Sequence, residues 1–181
     1  MNFLKRTYNW TLKKAQHKNA KWYLSLISFA ESSFFPIPPD ILLIPMALAS
    51  KARALFYALI CTIFSVLGGI LGYAIGYFFY NSVGIYIVEF YHLENSLSVF
   101  ENYYKEFGIL IVLGAGITPF PYKFITIASG VFGLNIFLFI IISIIGRGLR
   151  FYLIAILLYF FGEKIKLSLI HISEPTRLRS I

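Results

Sequence analysis

Charge is scarce in this chain. Asp, Glu, Lys and Arg make up 13% of its 181 residues, 59% are apolar, and the mean hydropathy is +0.76. No charged residue occurs from 54 to 88, and Lys123 stands alone from 107 to 146. A helix needs about 20 apolar residues to cross the hydrocarbon, so both stretches exceed one crossing. That composition excludes an ordinary soluble domain. Dyad alternation is also lacking, which excludes barrel strands. Cysteine occurs once, at Cys61, so a disulfide framework and a thiolate metal cluster are both excluded. His17 and His92 stand outside the apolar segments. No His/Asp/Glu cluster has metal spacing, and neither a Gly-rich phosphate loop nor a nucleophile elbow is present. The expectation is a membrane protein that is not an enzyme and uses no cofactor or metal.

Acids are missing from the N-terminal stretch. Residues 1–21 hold Lys5, Arg6, Lys13, Lys14, Lys18 and Lys21 but no Asp or Glu. No small-residue cleavage site follows, so the stretch is not read as a secretory signal. The positive-inside rule makes it a cytoplasmic, interfacial arm; the competing reading is a plain basic tail. The net charge of +8 is then a topology signal. Nucleic acid is not expected as a partner, because the basic residues cluster beside apolar segments.

What is present is a pair of proline breaks. Pro36, Pro38 and Pro39 precede Asp40; Pro119 and Pro121 precede Lys123, at a constant offset of 83 residues. Proline removes a backbone donor and clashes with the preceding turn, so each cluster should stop a helix. Paired broken segments in two halves of a membrane chain point to a transport site.

The order along the chain is a broken hairpin (22–50), a crossing (54–80), an acidic linker (81–106), a second broken hairpin (107–133) and a second crossing (134–162). Lys51 and Arg53, and later Lys164 and Lys166, put those ends on the cytoplasmic side. The predicted fold class is all-α integral membrane, with two re-entrant helical hairpins plus transmembrane helices in an inverted repeat. Within the linker, 96–107 is expected as a short interfacial helix. Gly68, Gly72 and Gly76 form a repeated small-xxx-small face that lets another helix approach closely; a hinge or lipid groove is the alternative use.

Charges inside the apolar segments are the candidate site. Arg147 and Arg150 lie three apart, on one helix face, with long apolar runs on both sides. Guanidinium groups recognise phosphate bidentately, so Arg147, Arg150 and Lys123 are read as a phosphate-binding set. Glu31 and Asp40 flank the first break. Burial disfavours a carboxylate's charged form, so this pair is read as proton-handling. Two competing readings stay open. The arginines could be structural partners of Glu31 or Asp40, and Asp40 could pair with Lys123.

Glu31 through Pro36-Ile37-Pro38-Pro39-Asp40, Gly116 through Pro119-Phe120-Pro121-Tyr122-Lys123, and Gly146-Arg147-Gly148-Leu149-Arg150-Phe151 together resemble the DedA family, also called the VTT or SNARE-associated domain. The YqaA-like branch is the nearest in pattern. The resemblance covers most of residues 22–162. It implies two re-entrant hairpins in inverted repeat and proton-coupled movement of undecaprenyl phosphate or phospholipid across a bacterial inner membrane. Eukaryotic relatives are lipid scramblases. It also implies that Glu31 and Asp40 are the family's essential acidic pair. The better-known branch carries arginines in and after the second hairpin motif. Here that motif has Lys123, and the arginines come later.

Residues 167–181 resemble the translation of a transposon adapter used in sequencing libraries and are set outside the 22–166 membrane domain. The sequence thus predicts a multi-pass inner-membrane protein with a cytoplasmic N-terminus. It moves a phosphate-bearing lipid, polyprenyl phosphate or phospholipid, between leaflets, with the lipid chain passing the Gly68–Gly76 face. Membrane lipids and protons are the expected partners, and a homodimer would complete the groove. Alternatives are a small-ion or solute transporter and a non-transporting membrane assembly factor.

Overall fold

The computed structural model describes residues 19–34, 38–90, 92 and 94–173. Pro36, all but the end of the basic arm, and 174–181 lie outside the described residues. The described residues form helices joined by short turns and breaks, without strands: α1 (Ala20–Ser33), α2 (Asp40–Ala49), a 3-10 turn (Lys51–Arg53), α3 (Ala54–Phe79), a π turn (Tyr80–Gly84), α4 (Ile85–Phe90), α5 (Glu94–Ile117), α6 (Tyr122–Val131) and α7 (Ile136–Ser173). Among the described residues, two helices are long and apolar enough to cross a membrane, Lys51–Gly84 and Ile136–Gly162.

Both proline clusters interrupt helices. α2 begins directly after Pro39 and α6 directly after Pro121. A proline suits that position, because its missing N–H has no partner there in any case. Pro45 is accommodated inside α2. α6 ends where Gly133 adopts φ +62°, a conformation that favours glycine. Leu134 N–H then bonds the Ser129 carbonyl and Gly133 N–H the Gly130 carbonyl, the pairing of a Schellman stop. Asn135 opens α7, its Oδ1 accepting from the N–H groups of Phe137 (3.0 Å) and Leu138 (3.2 Å).

Where the sequence suggests a boundary at Phe107, the structure carries α5 straight through it. No proline lies between Glu94 and Thr118, and Glu101 and Lys105 pair at 2.6 Å one turn apart. The glycines in that stretch weaken the helix without stopping it. α7 likewise continues past Gly162, with no proline before Pro175.

α3 is the central element. It packs against α1, α6 and α7, while α5 and α2 pack on α7. Leu55, Leu59, Ile63, Leu67, Leu71 and Ile75, one every fourth residue, all face outward. The inward face is small: added Cβ atoms at Gly68 and Gly76 would overlap the carbonyl oxygens of Phe29 and Ile127. Gly72 abuts Thr126 and the Ser32 carbonyl. The three glycines therefore seat backbone from α1 and α6. That corrects the expectation of a lipid chain passing this face, because the space is filled by two helices.

Two apolar clusters form the interior. One gathers Leu24, Leu43, Met46, Cys61, Phe151 and their neighbours; the other centres on Val112, Tyr122, Phe139 and Ile142. Along α3, Ser65 falls between them. Along α7, Ser143 and Arg147 do. The polar residues thus form a layer inside the protein, with apolar side chains outside it.

Candidate functional site

The first break places Glu31 at the end of α1 and Asp40 at the start of α2. α7 presents Arg147 and Arg150 to them, one arginine to each. Arg147 Nη2 donates to Glu31 Oε2 at 2.5 Å, and Arg150 Nη2 to Asp40 Oδ2 at 2.5 Å. The two pairs differ in setting. Arg147 is 1% exposed. Its Nε donates to Ser65 Oγ at 2.6 Å, Ser65 Oγ meets Ser32 Oγ at 2.6 Å, and Ser32 Oγ donates to Glu31 Oε2 at 3.1 Å. Its guanidinium also lies 4.9 Å from the Tyr122 ring centre and 4.7 Å from that of Phe151, within cation–π range. Tyr122 is held in turn by a 2.6 Å bond between its hydroxyl and Ser143 Oγ. This pair is desolvated, so the closed ring of hydrogen bonds is what makes its burial tolerable.

Arg150 sits nearer the edge. Its side chain is 11% exposed, that of Asp40 20%. Nη1 donates to the Thr118 carbonyl at 2.7 Å, just beyond the end of α5, where a cation complements the helix dipole. Asp40 lies in the first turn of α2, where an anion does the same. One arginine thus joins the two breaks. Asp40 Oδ1 and Arg147 Nη1 are buried without a hydrogen-bond partner among the described residues.

Between the breaks lies a cavity of about 420 Å³, lined by Glu31, Arg150 and Lys123 together with Pro38, Pro119, Pro121, Phe120 and Phe124. Lys123 Nζ rests 5.3 Å from the Phe124 ring centre and makes no ion pair among the described residues. The Glu31–Arg147 and Asp40–Arg150 pairs cancel their own charges. Among the described residues, Lys123 is the remaining positive charge on the cavity wall. An apolar cavity with a few convergent polar groups is the usual form of a ligand site, and its cations suit an anion.

The sequence-derived residues therefore divide. Glu31, Lys123 and Arg150 line the cavity with Pro38, Pro119 and Pro121. Arg147, Asp40 and Pro39 stand behind it, and Gly68, Gly72 and Gly76 pack helices elsewhere. The Asp40–Lys123 pairing does not form, because Arg150 holds Asp40. Ser32, Ser65, Tyr122 and the Thr118 carbonyl were not singled out in the sequence. Only Ser65, a hydroxyl in the middle of a charge-free helix, carried a signal.

These features define an all-helical protein with a polar layer of two ion pairs inside an apolar shell. The chain is 39% identical over 160 residues to an uncharacterized protein of Haemophilus influenzae, across 87% of this chain and 81% of that one. It is 36% identical over 160 residues to the uncharacterized protein HI0703 homolog of Histophilus somni, across 87% and 82%. It belongs to the family that contains these two proteins. No family model and no solved structure matches it.

Proposed function

We propose that this is a multi-pass inner-membrane protein that moves a phosphate-bearing lipid between leaflets. The observation that carries the reading is the cavity between the two proline breaks, with Lys123 and Arg150 on its wall. The outward apolar stripe of α3 and the polar layer inside suit a lipid surrounding rather than water. In this reading α1–α2 and α5–α6 are the arms of two re-entrant hairpins in inverted repeat, and the cavity lies where their tips meet. The headgroup phosphate enters it, neutralised by Lys123 and Arg150, while the chain stays in lipid. Glu31 and Asp40 handle the coupled proton; protonation of Asp40 weakens its hold on Arg150. Arg147 positions Glu31 and does not touch the lipid. The motif resemblance to the DedA family supports the same reading.

The test is leaflet exchange in liposomes. Labelled phospholipid and labelled polyprenyl phosphate are followed for wild type and Lys123→Gln, with and without a pH gradient. Exchange that falls in the variant supports the proposal. No exchange of either lipid by folded protein rejects it in favour of a soluble-solute transporter or an assembly factor. A rate indifferent to the gradient removes the proton coupling.

A further inference from the structure

The two ion pairs are unequal in a way that bears on ligand entry. Arg147 is enclosed by Glu31, Ser65 and two aromatic rings and is absent from the cavity wall. Arg150 is on that wall, yet the two terminal nitrogens of its guanidinium are already engaged, Nη2 by Asp40 and Nη1 by the Thr118 carbonyl. Those nitrogens form an edge suited to a planar or tetrahedral oxyanion. Asp40 uses it poorly, through one oxygen, with Oδ1 left unpartnered. A phosphate in the cavity has three advantages over that carboxylate. It brings more acceptor oxygens. It can meet Lys123, which is on the same wall. And the carboxylate it replaces is the more exposed member of its pair.

We propose that Asp40 is a built-in competitor for the anion site: it occupies Arg150 while the cavity is empty, and an entering phosphate displaces it. This rests on the reading of the cavity as a phosphate site. Displacement has a mechanical result. The Asp40–Arg150–Thr118 chain ties the start of α2 to the segment after α5, so breaking it at Asp40 loosens one break from the other, while the Thr126 bond to the Ser32 carbonyl remains. The Glu31–Arg147 pair, three residues away along α7, stays closed and keeps the helix in register. Ligand binding and separation of the two breaks are therefore one event.

The experiment is calorimetric titration of dodecyl phosphate, and separately of inorganic phosphate, into the full-length protein in a non-ionic detergent. Wild type, Asp40→Asn and Lys123→Gln are compared. Removing the competitor's charge should tighten dodecyl phosphate binding by at least about five-fold, the lower end of ordinary coupling between linked sites. Lys123→Gln should weaken it. Equal tightening toward inorganic phosphate supports the same competition and identifies a soluble anion as the occupant. Wild-type binding that is unchanged or weaker in Asp40→Asn overturns the competition and leaves the anion site standing. No binding of either phosphate by wild type and Asp40→Asn overturns both. A second measurement leaves Asp40 in place. Spin labels at Ile41 and Ile117, both exposed, should move apart when dodecyl phosphate is added; an unchanged distance at saturating probe overturns the proposal even where Asp40→Asn does not fold.

Discussion

Arg147 and Glu31, 116 residues apart in the chain, meet at 2.5 Å where the arginine is 1% exposed. Each is the other's charge partner, and Ser32 and Ser65 close the circuit around them. The pair joins the end of α1 to the middle of α7 across the body of α3. Through Ser65 the circuit links three helices, α1, α3 and α7.

Arg147→Gln is expected to destabilise the protein by about 3–5 kcal/mol, since it strands a buried carboxylate. Thermal unfolding in detergent reads the loss. The Glu31→Gln, Arg147→Gln double variant should lose less than the sum of the two singles. Additive losses would mean that the two residues act independently.

Gly68→Ala and Gly76→Ala each force a methyl group against a backbone carbonyl, which cannot rotate away as a side chain can. A cost of about 1–3 kcal/mol is expected for each. Gly114 is the control: it lies within α5 with nothing near its missing Cβ. Gly114→Ala should stabilise by roughly 0.5–1 kcal/mol. The same melting assay compares all three, and a reversed order would contradict the packing described.

Lys123→Gln removes a charge that has no ion-pair partner among the described residues. Stability should stay within about 0.5 kcal/mol of wild type, while lipid exchange falls. Parallel loss of both would make Lys123 a structural residue.

Tyr122→Phe deletes the hydroxyl bonded to Ser143 and should cost about 0.5–1.5 kcal/mol. Tyr122→Leu also removes the ring facing Arg147 and should cost about 0.5–2 kcal/mol more. Equal melting temperatures for the two variants would show that the ring contact adds nothing.

Local breakers were the most readable part of this sequence. Prolines act on their own neighbours, so Pro38, Pro39, Pro119 and Pro121 mark helix ends without reference to the rest of the fold. Glycine spacing was readable as a packing face for the same reason, but not which helices cover it: Phe29 and Ile127 reach Gly68 and Gly76 from opposite halves of the chain. The charged residues showed that partners must exist, since buried charge is costly, and left two pairings open. The choice between Lys123 and Arg150 as the partner of Asp40 depends on how α7 is rotated against α2, which no local rule contains. Ser32 was invisible because a helical serine looks alike whether it bonds its own turn or a neighbour, and Ser65 showed only that a hydroxyl lay in a charge-free helix, not what it bonds. The change of composition near Phe107 suggested a boundary, yet composition alone does not unwind a helix.

The 116-residue separation of Glu31 and Arg147 also sets a schedule for making this protein. When α1 is complete, the native partner of Glu31 does not yet exist, and it is made only with α7. At about 5–20 residues per second, that interval is roughly 6 to 23 s. Over that time α1 and α3 can dock through Gly68, but the charged layer between them is unfinished. A nascent chain stalled before α7 would expose an orphan carboxylate, a mark by which quality control could recognise it.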